Sequence, residues 1–437
     1  MTVETVLLYI LGVVIIALGL GISIALHELG HLWPAKRFGV YVPKYMIGFG
    51  PTVWSKRVGE TEYGVKALPL GGFVALSGMY PPEEDGVMRD STTSFFDTAV
   101  QEAEPSEDPK RAFYLLPAWK RVIVMLGGPV MNLLLAVLAY AILLCGIGIP
   151  QLSTTIGTVN ECVLPAAQTR QECAAGDPAA PAAAAGIRPG DRLLAIDGEP
   201  VTGWLQSTEI IREHAGEPIR ILIERDGAEL ELTATPMRSQ RYAIDDKGDV
   251  ILDAAGEPAY VDVGFLGIGA AYETTRQPIT SVLPAVGDNI VRVVDIIWQL
   301  PVRIWDTAAV IFTPGAERDP NGPLSVVGVG RLAGEIASID AVPMLDKVGS
   351  LVGVFASLNT ALFVFNLIPL LPLDGGHVLG AIWEAIRRGW AKLRGRPDPG
   401  PVDISKAAPI TMVVVVLLGV MSLVLIAADI VKPITLL

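Results

Sequence analysis

Taken as a sequence of apolar and polar positions, the chain shows four long apolar runs separated by mixed stretches. Residues 6–26, 122–149 and 410–428 are each long and apolar enough for a helix to cross a hydrocarbon layer about 30 Å thick. A fourth run, 351–373, is interrupted by Asn359, Asn366, Pro369 and Pro372. At membrane depth such an interruption is tolerated only where the backbone faces protein or a wet cavity, so this run predicts a segment that lines a site. Between the first two runs, 45–51, 61–66 and 68–76 are short apolar stretches broken by Gly and Pro, which predict strands or hairpins. Residues 81–109, rich in Asp, Glu, Pro and Ser, are predicted to be flexible. Beyond the second run, 185–198 reads as turn, buried strand and turn, and 219–224 with 229–235 predicts a hairpin about Asp226-Gly227. A small β-rich domain of about 80 to 100 residues is expected there, with an Ala- and Pro-rich loop over 160–184 at its front. Residues 238–262 are polar with several glycine turns. Residues 279–312 carry the period of an amphipathic helix bearing Asp288, Arg292, Asp295, Arg303 and Asp306, to be placed on the outer membrane surface or against the spans.

This pattern predicts a multi-pass α-helical membrane protein with about four transmembrane segments, a cytoplasmic β-hairpin or re-entrant region and an inserted extracytoplasmic β-rich domain. The expected division is 1–32, first span; 33–121, hairpin and loop region; 122–149, second span; 150–236, β domain; 237–350, linker and amphipathic helices; 351–383, interrupted third span; 384–408, basic loop; and 409–431, fourth span. Composition agrees, since 51% hydrophobic residues and a mean hydropathy of +0.48 are too apolar for an ordinary soluble protein and too polar for spans alone. Basic residues set the orientation. Lys36 and Arg37, Lys120 and Arg121, and Arg387, Arg388, Lys392, Arg394 and Arg396 flank the spans and belong on the cytoplasmic side, so 151–350 lies outside. The start of the chain, with Glu4 and no basic residue, has the wrong polarity for a secretory signal, so the first span is expected to be retained. A net charge of −13 argues against a nucleic-acid partner, which needs a clustered basic surface. Cys162 and Cys173 fall in the external region, where they can pair or stay free, and Cys145 lies in the second span.

Against that background one motif changes the picture. His27-Glu28-Leu29-Gly30-His31 closes the first apolar run. On a helix, positions i and i+4 differ by about 40° in direction and about 6 Å along the axis, so both imidazoles can hold one Zn²⁺. Glu28 can then reach a water at the open position of that ion, the arrangement of a metalloprotease. The bland reading is a coincidental His pair, but only four histidines occur in the chain and two are here. Ionisable groups in a membrane helix cost about 2.5–3.5 kcal/mol each at its centre, which favours function. A catalytic zinc site takes three protein ligands. The candidates for the third are His214 in the β domain, and Asp374 and His377 at the inner end of the interrupted run, between which chemistry alone does not choose. If the strands over 45–76 lie beside the metal, their edge can bind an extended substrate, with Gly71 and Gly72 as candidate substrate-binding positions; the alternative is a solvated connector.

In several places the chain resembles the site-2 proteases, zinc-dependent intramembrane proteases. The matching features, in order, are His27 to His31, Gly48-Phe49-Gly50, Pro69-Leu70-Gly71-Gly72-Phe73, Gly127-Gly128-Pro129 with Asn132, and the stretch from Asn366 to Leu373-Asp374-Gly375-Gly376. The external β domain looks like the PDZ domain of the bacterial branch, although only one is discerned where some relatives carry two. The resemblance implies that His27, His31 and Asp374 bind one Zn²⁺, that Glu28 is the catalytic acid/base, that Asn366 contacts substrate near the scissile bond, and that His377 is a neighbour. It further implies substrates that are single-pass membrane proteins already trimmed outside, such as anti-sigma factors or remnant signal peptides, in regulated intramembrane proteolysis at the bacterial inner membrane. Asn132, beside Gly127, Gly128 and Pro129, is read as a packing residue, since small residues let spans approach closely.

The substrate must be a membrane segment whose helix can open, because an intact helix hides its carbonyls in its own hydrogen bonds. Two readings from other classes compete. A catalytically inactive PDZ membrane scaffold has no need of Glu28, and a metal transporter is expected to show paired repeats and a continuous polar path, neither visible in this sequence.

Overall fold

The computed structural model describes residues 2–79, 108–164, 173–174, 176–243, 250–251, 253, 257–316, 318–340, 342–402 and 407–435. All but the last two positions of the stretch 81–109, expected to be flexible, lie outside these residues. The chain forms two compact units, Met1–Gly148 with Arg276–Leu437, and Ile149–Thr275.

The first unit opens with α1 (Val3–Arg37), a single helix of 35 residues. The Thr2 side chain caps it by accepting from the Thr5 N–H, Glu4 sits in the first turn, and Lys36 and Arg37 sit in the last, each at the dipole end it favours. Leu7, Leu11, Leu18 and Ile22 stay exposed, as expected of a face turned to lipid. An antiparallel hairpin follows, β1 (Lys44–Val58) and β2 (Thr61–Ala75), turned by Gly59 in the left-handed region. Its base is doubled. Residues 44–47 pair on one side with 62–65 (Tyr45 opposite Tyr63) and on the other with 72–75 (Ile47 opposite Gly72), so 72–75 forms an edge with no further strand on it among the described residues. The Arg111 guanidinium braces the turn between the strands through Glu60 (2.8 and 2.9 Å) and the Gly39 carbonyl (3.1 Å). Helix α2 (Ala118–Ala141) comes next and is extended by a wider π turn over Ile142–Ile147.

The second unit is a β structure. Strand β3 (Ile149–Val159) leads through the short α3 (Pro181–Ala184) to β4 (Arg192–Ile196), β5 (Glu199–Pro200), α4 (Trp204–Glu213), β6 (Ile219–Arg225) and β7 (Ala228–Ala234). Asp226 and Gly227 both take positive φ, the backbone a two-residue hairpin turn requires, and Arg225 pairs with Ala228 across it. Alternate positions Ile219, Ile221 and Ile223 are fully buried with Ile156, Leu193 and Ile196. Each such side chain contributes about 1.5–3 kcal/mol relative to exposure. The unit runs further than the hydrophobic pattern suggests, through β8 (Met237–Tyr242), β9 (Tyr260–Phe265) and β10 (Ile268–Thr275). The β8–β9 pair forms its own two-stranded sheet, and β10 joins β3 to complete the order β10-β3-β4-β6-β7. These strands are hard to read from sequence because most of their side chains are polar or exposed. Cys162 and Cys173 form a disulfide.

On return to the first unit the chain forms α5 (Val282–Phe312), α6 (Val326–Ser338), α7 (Met344–Asn366), α8 (Asp374–Leu393) and α9 (Ala408–Val431). Amphipathic α5 packs on α2, α7 and α9, burying Val286, Asn289 and Val293, which decides between the two placements expected for it. Among the described residues, four helices are long and apolar enough to cross a membrane: α1, Ala118–Ile147, α7 and Pro409–Val431. The third run departs from expectation in where it breaks. Helix α7 is continuous through Asn359, and only the turn over 367–373, with Pro369 and Pro372, interrupts it. Asn359 is accommodated because its amide finds partners within and beside the helix.

Candidate metal centre

Helix periodicity aims His27 and His31 from one face of α1, with their Nε2 atoms 3.1 Å apart. Asp374 reaches the same point from the first turn of α8, its Oδ2 3.2 Å from Nε2 of His27 and 3.4 Å from Nε2 of His31. What brings it there is the backbone on either side. Pro369 and Pro372 stop α7 from continuing, and α8 begins folded tightly onto the turn. A Cβ at Gly375 would collide with the carbonyls of Leu367 and Ile368, and one at Gly376 with the backbone of Leu370 and Leu371. The two glycines after Asp374 are therefore a steric requirement of its position.

Helix α2 supplies the outer layer. Nδ1 of His27 lies 2.6 Å from Oδ1 of Asn132, and Nδ1 of His31 lies 2.8 Å from the carbonyl of Val124. Both partners are acceptors, so each imidazole carries its proton on Nδ1 and turns an Nε2 lone pair inward. Oδ2 of Asp374 is buried and accepts no hydrogen bond among the described residues. Three electron-pair donors thus face one another at 3.1–3.4 Å, a repulsive arrangement unless a cation lies among them. A tetrahedral ion with ligand bonds of about 2.0–2.1 Å has ligand-to-ligand edges of about 3.3 Å, so the trio fits such an ion by spacing and by donor chemistry. The floor fits too. A Cβ at Gly128 would press on Nε2 of both histidines, and α1 crosses α2 where Gly30 meets Gly127 backbone to backbone. Only glycine at 128 leaves the point open.

Glu28 follows His27 directly on α1 and lies beside the trio. Its Cγ packs on Gly72 of β2, where an added Cβ would fall 2.9 Å from it. The edge 72–75 therefore passes directly along Glu28. Gly71, at φ +128°, adopts a backbone conformation that side chains disfavour, and the Phe49 ring covers it. Outside the membrane helices, the hydrogen bonds from Arg111 hold the Glu60 carboxyl below the usual range, so the brace on the hairpin stays ionised near neutrality.

The structure brings His27, Glu28, His31, Asp374 and Gly72 together. Asn366 is not in the trio: it ends α7, with Nδ2 donating to the Leu362 carbonyl at 3.0 Å. His377, one turn along α8, is buried but outside the trio, and His214 ends α4 in the other unit with Nδ1 2.8 Å from the Ile210 carbonyl. Three residues escape the sequence reading in these roles, namely Asn132 and Asn359 as hydrogen-bonding partners and Gly128 as floor. A signal exists for the asparagines: an amide inside an apolar span calls for a partner, as an ionisable group does.

Comparison with known proteins identifies the family. The profile of Peptidase family M50 matches residues 15–396. The chain is 37% identical over 443 residues to zinc metalloprotease Rip1 of Mycobacterium tuberculosis (strain ATCC 25618 / H37Rv), an alignment covering 98% of this chain and 100% of that protein. It is 35% identical to Rip1 of Mycolicibacterium smegmatis, covering 97% of this chain and 98% of the relative. To metalloprotease MmpA of Caulobacter vibrioides the identity is 29%, covering 84% and 85% of the two chains.

Proposed function

Because the chain belongs to Peptidase family M50, we propose that it is a zinc-dependent intramembrane endopeptidase in which His27, His31 and Asp374 hold one Zn²⁺ and Glu28 is the acid/base. The single observation that carries this reading is the convergence of three inward-facing donors at 3.1–3.4 Å, with both imidazoles tied from behind by α2. When bound, the ion supplies Lewis acidity, making water more acidic and offsetting negative charge on the scissile carbonyl oxygen. Glu28 removes a proton from the attacking water and delivers it to the amine nitrogen as the C–N bond breaks.

The substrates on this reading are transmembrane segments of single-pass proteins, pre-trimmed anti-sigma factors and remnant signal peptides among them, cut within the bilayer. The edge 72–75 supports it, since a segment added there would be held extended with its carbonyls presented beside Glu28. Asn366 hydrogen-bonds the substrate backbone, exchanging its bond to Leu362. The protein sits in the bacterial inner membrane with the β unit, read as a PDZ-like domain, outside the cell membrane, where it filters or reads trimmed ends. The test is co-expression with candidate single-pass proteins, full-length and externally truncated. Glu28→Gln is expected to retain fold and zinc while losing about 10²–10⁴-fold in cleavage; undiminished cleavage would overturn the role of Glu28.

A further inference from the structure

We propose that Asn132 and Asn359 form a positioning relay that fixes the His27 tautomer, so that the metal site is competent only when α7 is seated against α2. The inference rests on the reading that His27 is a metal ligand. Both asparagines are fully buried. An amide can turn either its oxygen or its NH₂ toward a neighbour, and the two choices have opposite consequences at His27. Oxygen toward Nδ1 keeps the proton there and leaves the Nε2 lone pair facing Asp374. NH₂ toward Nδ1 favours the tautomer with a proton on Nε2, aimed into the point where His31 and Asp374 converge.

What chooses is the far end of the relay. Nδ2 of Asn359 donates to the Phe355 carbonyl at 2.9 Å, a main-chain acceptor that cannot turn round. This commits Oδ1 of Asn359 to accept, and it takes the bond from Nδ2 of Asn132 at 3.1 Å. Oδ1 of Asn132 is then left for Nδ1–H of His27 at 2.6 Å. Each step has one polarity, and reversing any amide would set like groups face to face in a buried setting where an unmade hydrogen bond is expensive. His31 is oriented by a main-chain carbonyl directly, that of Val124. His27 is oriented by one through two side chains, and the second of these belongs to α7, whose end leads into the turn that positions Asp374. One seating event thus sets two ligands.

The experiment is a chelator-competition titration of zinc, with the absorption spectrum of the cobalt-loaded form as a second readout, on the full chain in detergent. The variants are Asn132→Leu, Asn132→Asp, Asn359→Leu and the double variant that combines Asn132→Asp with Asn359→Leu. Asn132→Leu is expected to weaken zinc binding about 10- to 100-fold, the usual effect of removing a partner from a ligating histidine. Asn359→Leu, which touches no ligand, is expected to weaken it about tenfold with an altered cobalt spectrum. A carboxylate at position 132 accepts from Nδ1–H of His27 through either oxygen and needs no orienting, so the double variant is expected to recover what Asn359→Leu loses, whereas Asn132→Asp alone sets its second oxygen against Oδ1 of Asn359 and is expected to bind zinc less tightly than the double variant. If Asn359 only packs, its loss persists in the double variant. Wild-type affinity and spectrum in folded Asn359→Leu, or failure of the double variant to recover, overturns the relay. Wild-type protein that binds no zinc instead overturns the proposed function on which it rests.

Discussion

Asp191 in the β unit and Asp374 in the helical unit each carry a carboxylate oxygen withdrawn from water, yet the two are treated in opposite ways. Asp191 is 1% exposed and fully engaged: Arg225 grips it through Nε at 2.7 Å and Nη2 at 2.8 Å, and the Arg188 N–H adds a third bond at 2.8 Å. Asp374 faces only acceptors, two imidazole lone pairs at 3.2 and 3.4 Å, and its Oδ2 receives no hydrogen bond among the described residues. A buried charge that is satisfied by its own protein is part of the structure. A carboxylate oxygen set against other donors of electron pairs instead suits a cation, and two imidazoles with one carboxylate are a donor set that fits a tetrahedral zinc ion.

The contrast is broken most directly by removing each carboxylate. Asp374→Ala is expected to lower zinc affinity by at least about a hundredfold, beyond the range for loss of an outer partner, while the metal-free protein loses little thermal stability because no hydrogen bond to Oδ2 is given up. Asp191→Ala is expected to leave zinc binding alone and to destabilise the β unit by about 1–3 kcal/mol, since Arg225 loses a buried partner. Differential unfolding with and without chelator measures both; equal destabilisation of the metal-free protein by the two variants would erase the distinction. A smaller effect sharpens the steric side of the comparison. Gly128→Ala places a methyl group against both Nε2 atoms and is expected to weaken zinc about tenfold or more, whereas Gly146→Ala, with open space around it, serves as a control without effect.

The smallest expected effect is on pH. Burial by itself would raise the Asp191 carboxyl, but the bonds from Arg225 and the Arg188 N–H outweigh it and hold the group below its ordinary range. Its folded value is thus depressed, so the stability it contributes is present above the unfolded value of about 3.9 and is lost as pH falls through the folded one. Thermal melting of the β unit is expected to be nearly flat from neutrality to about pH 5 and to drop below about pH 4, with a shallower drop in Asp191→Asn. An identical acid profile in the variant assigns the drop to other groups.

Local rules carry a good part of the molecule. The spacing of His27 and His31 is a property of any α-helix, and the two-residue turn at Asp226-Gly227 follows from the backbone angles those residues accept. The interrupted third run is legible as a site because prolines and glycines cluster there, although the break lies after Asn366 and leaves Asn359 within the helix. Strands β8 to β10 are hidden, since their partners are distant in sequence and their polar faces give a weak period.

Periodicity and residue chemistry alone determined that this chain has spans, a β-rich insert and a histidine pair on one helical face, because those depend on neighbours a few residues apart. Which way each imidazole carries its proton and that Gly128 keeps the convergence point open were decided only in three dimensions, and the geometry there also places Asp374 rather than His377 in the trio, a choice that residue chemistry leaves open and the family resemblance implies. The reason is physical: each depends on how closely α1, α2 and α8 approach, and a hydrogen bond or a collision over a few tenths of an ångström is set by packing between segments that the sequence separates by about a hundred residues or more.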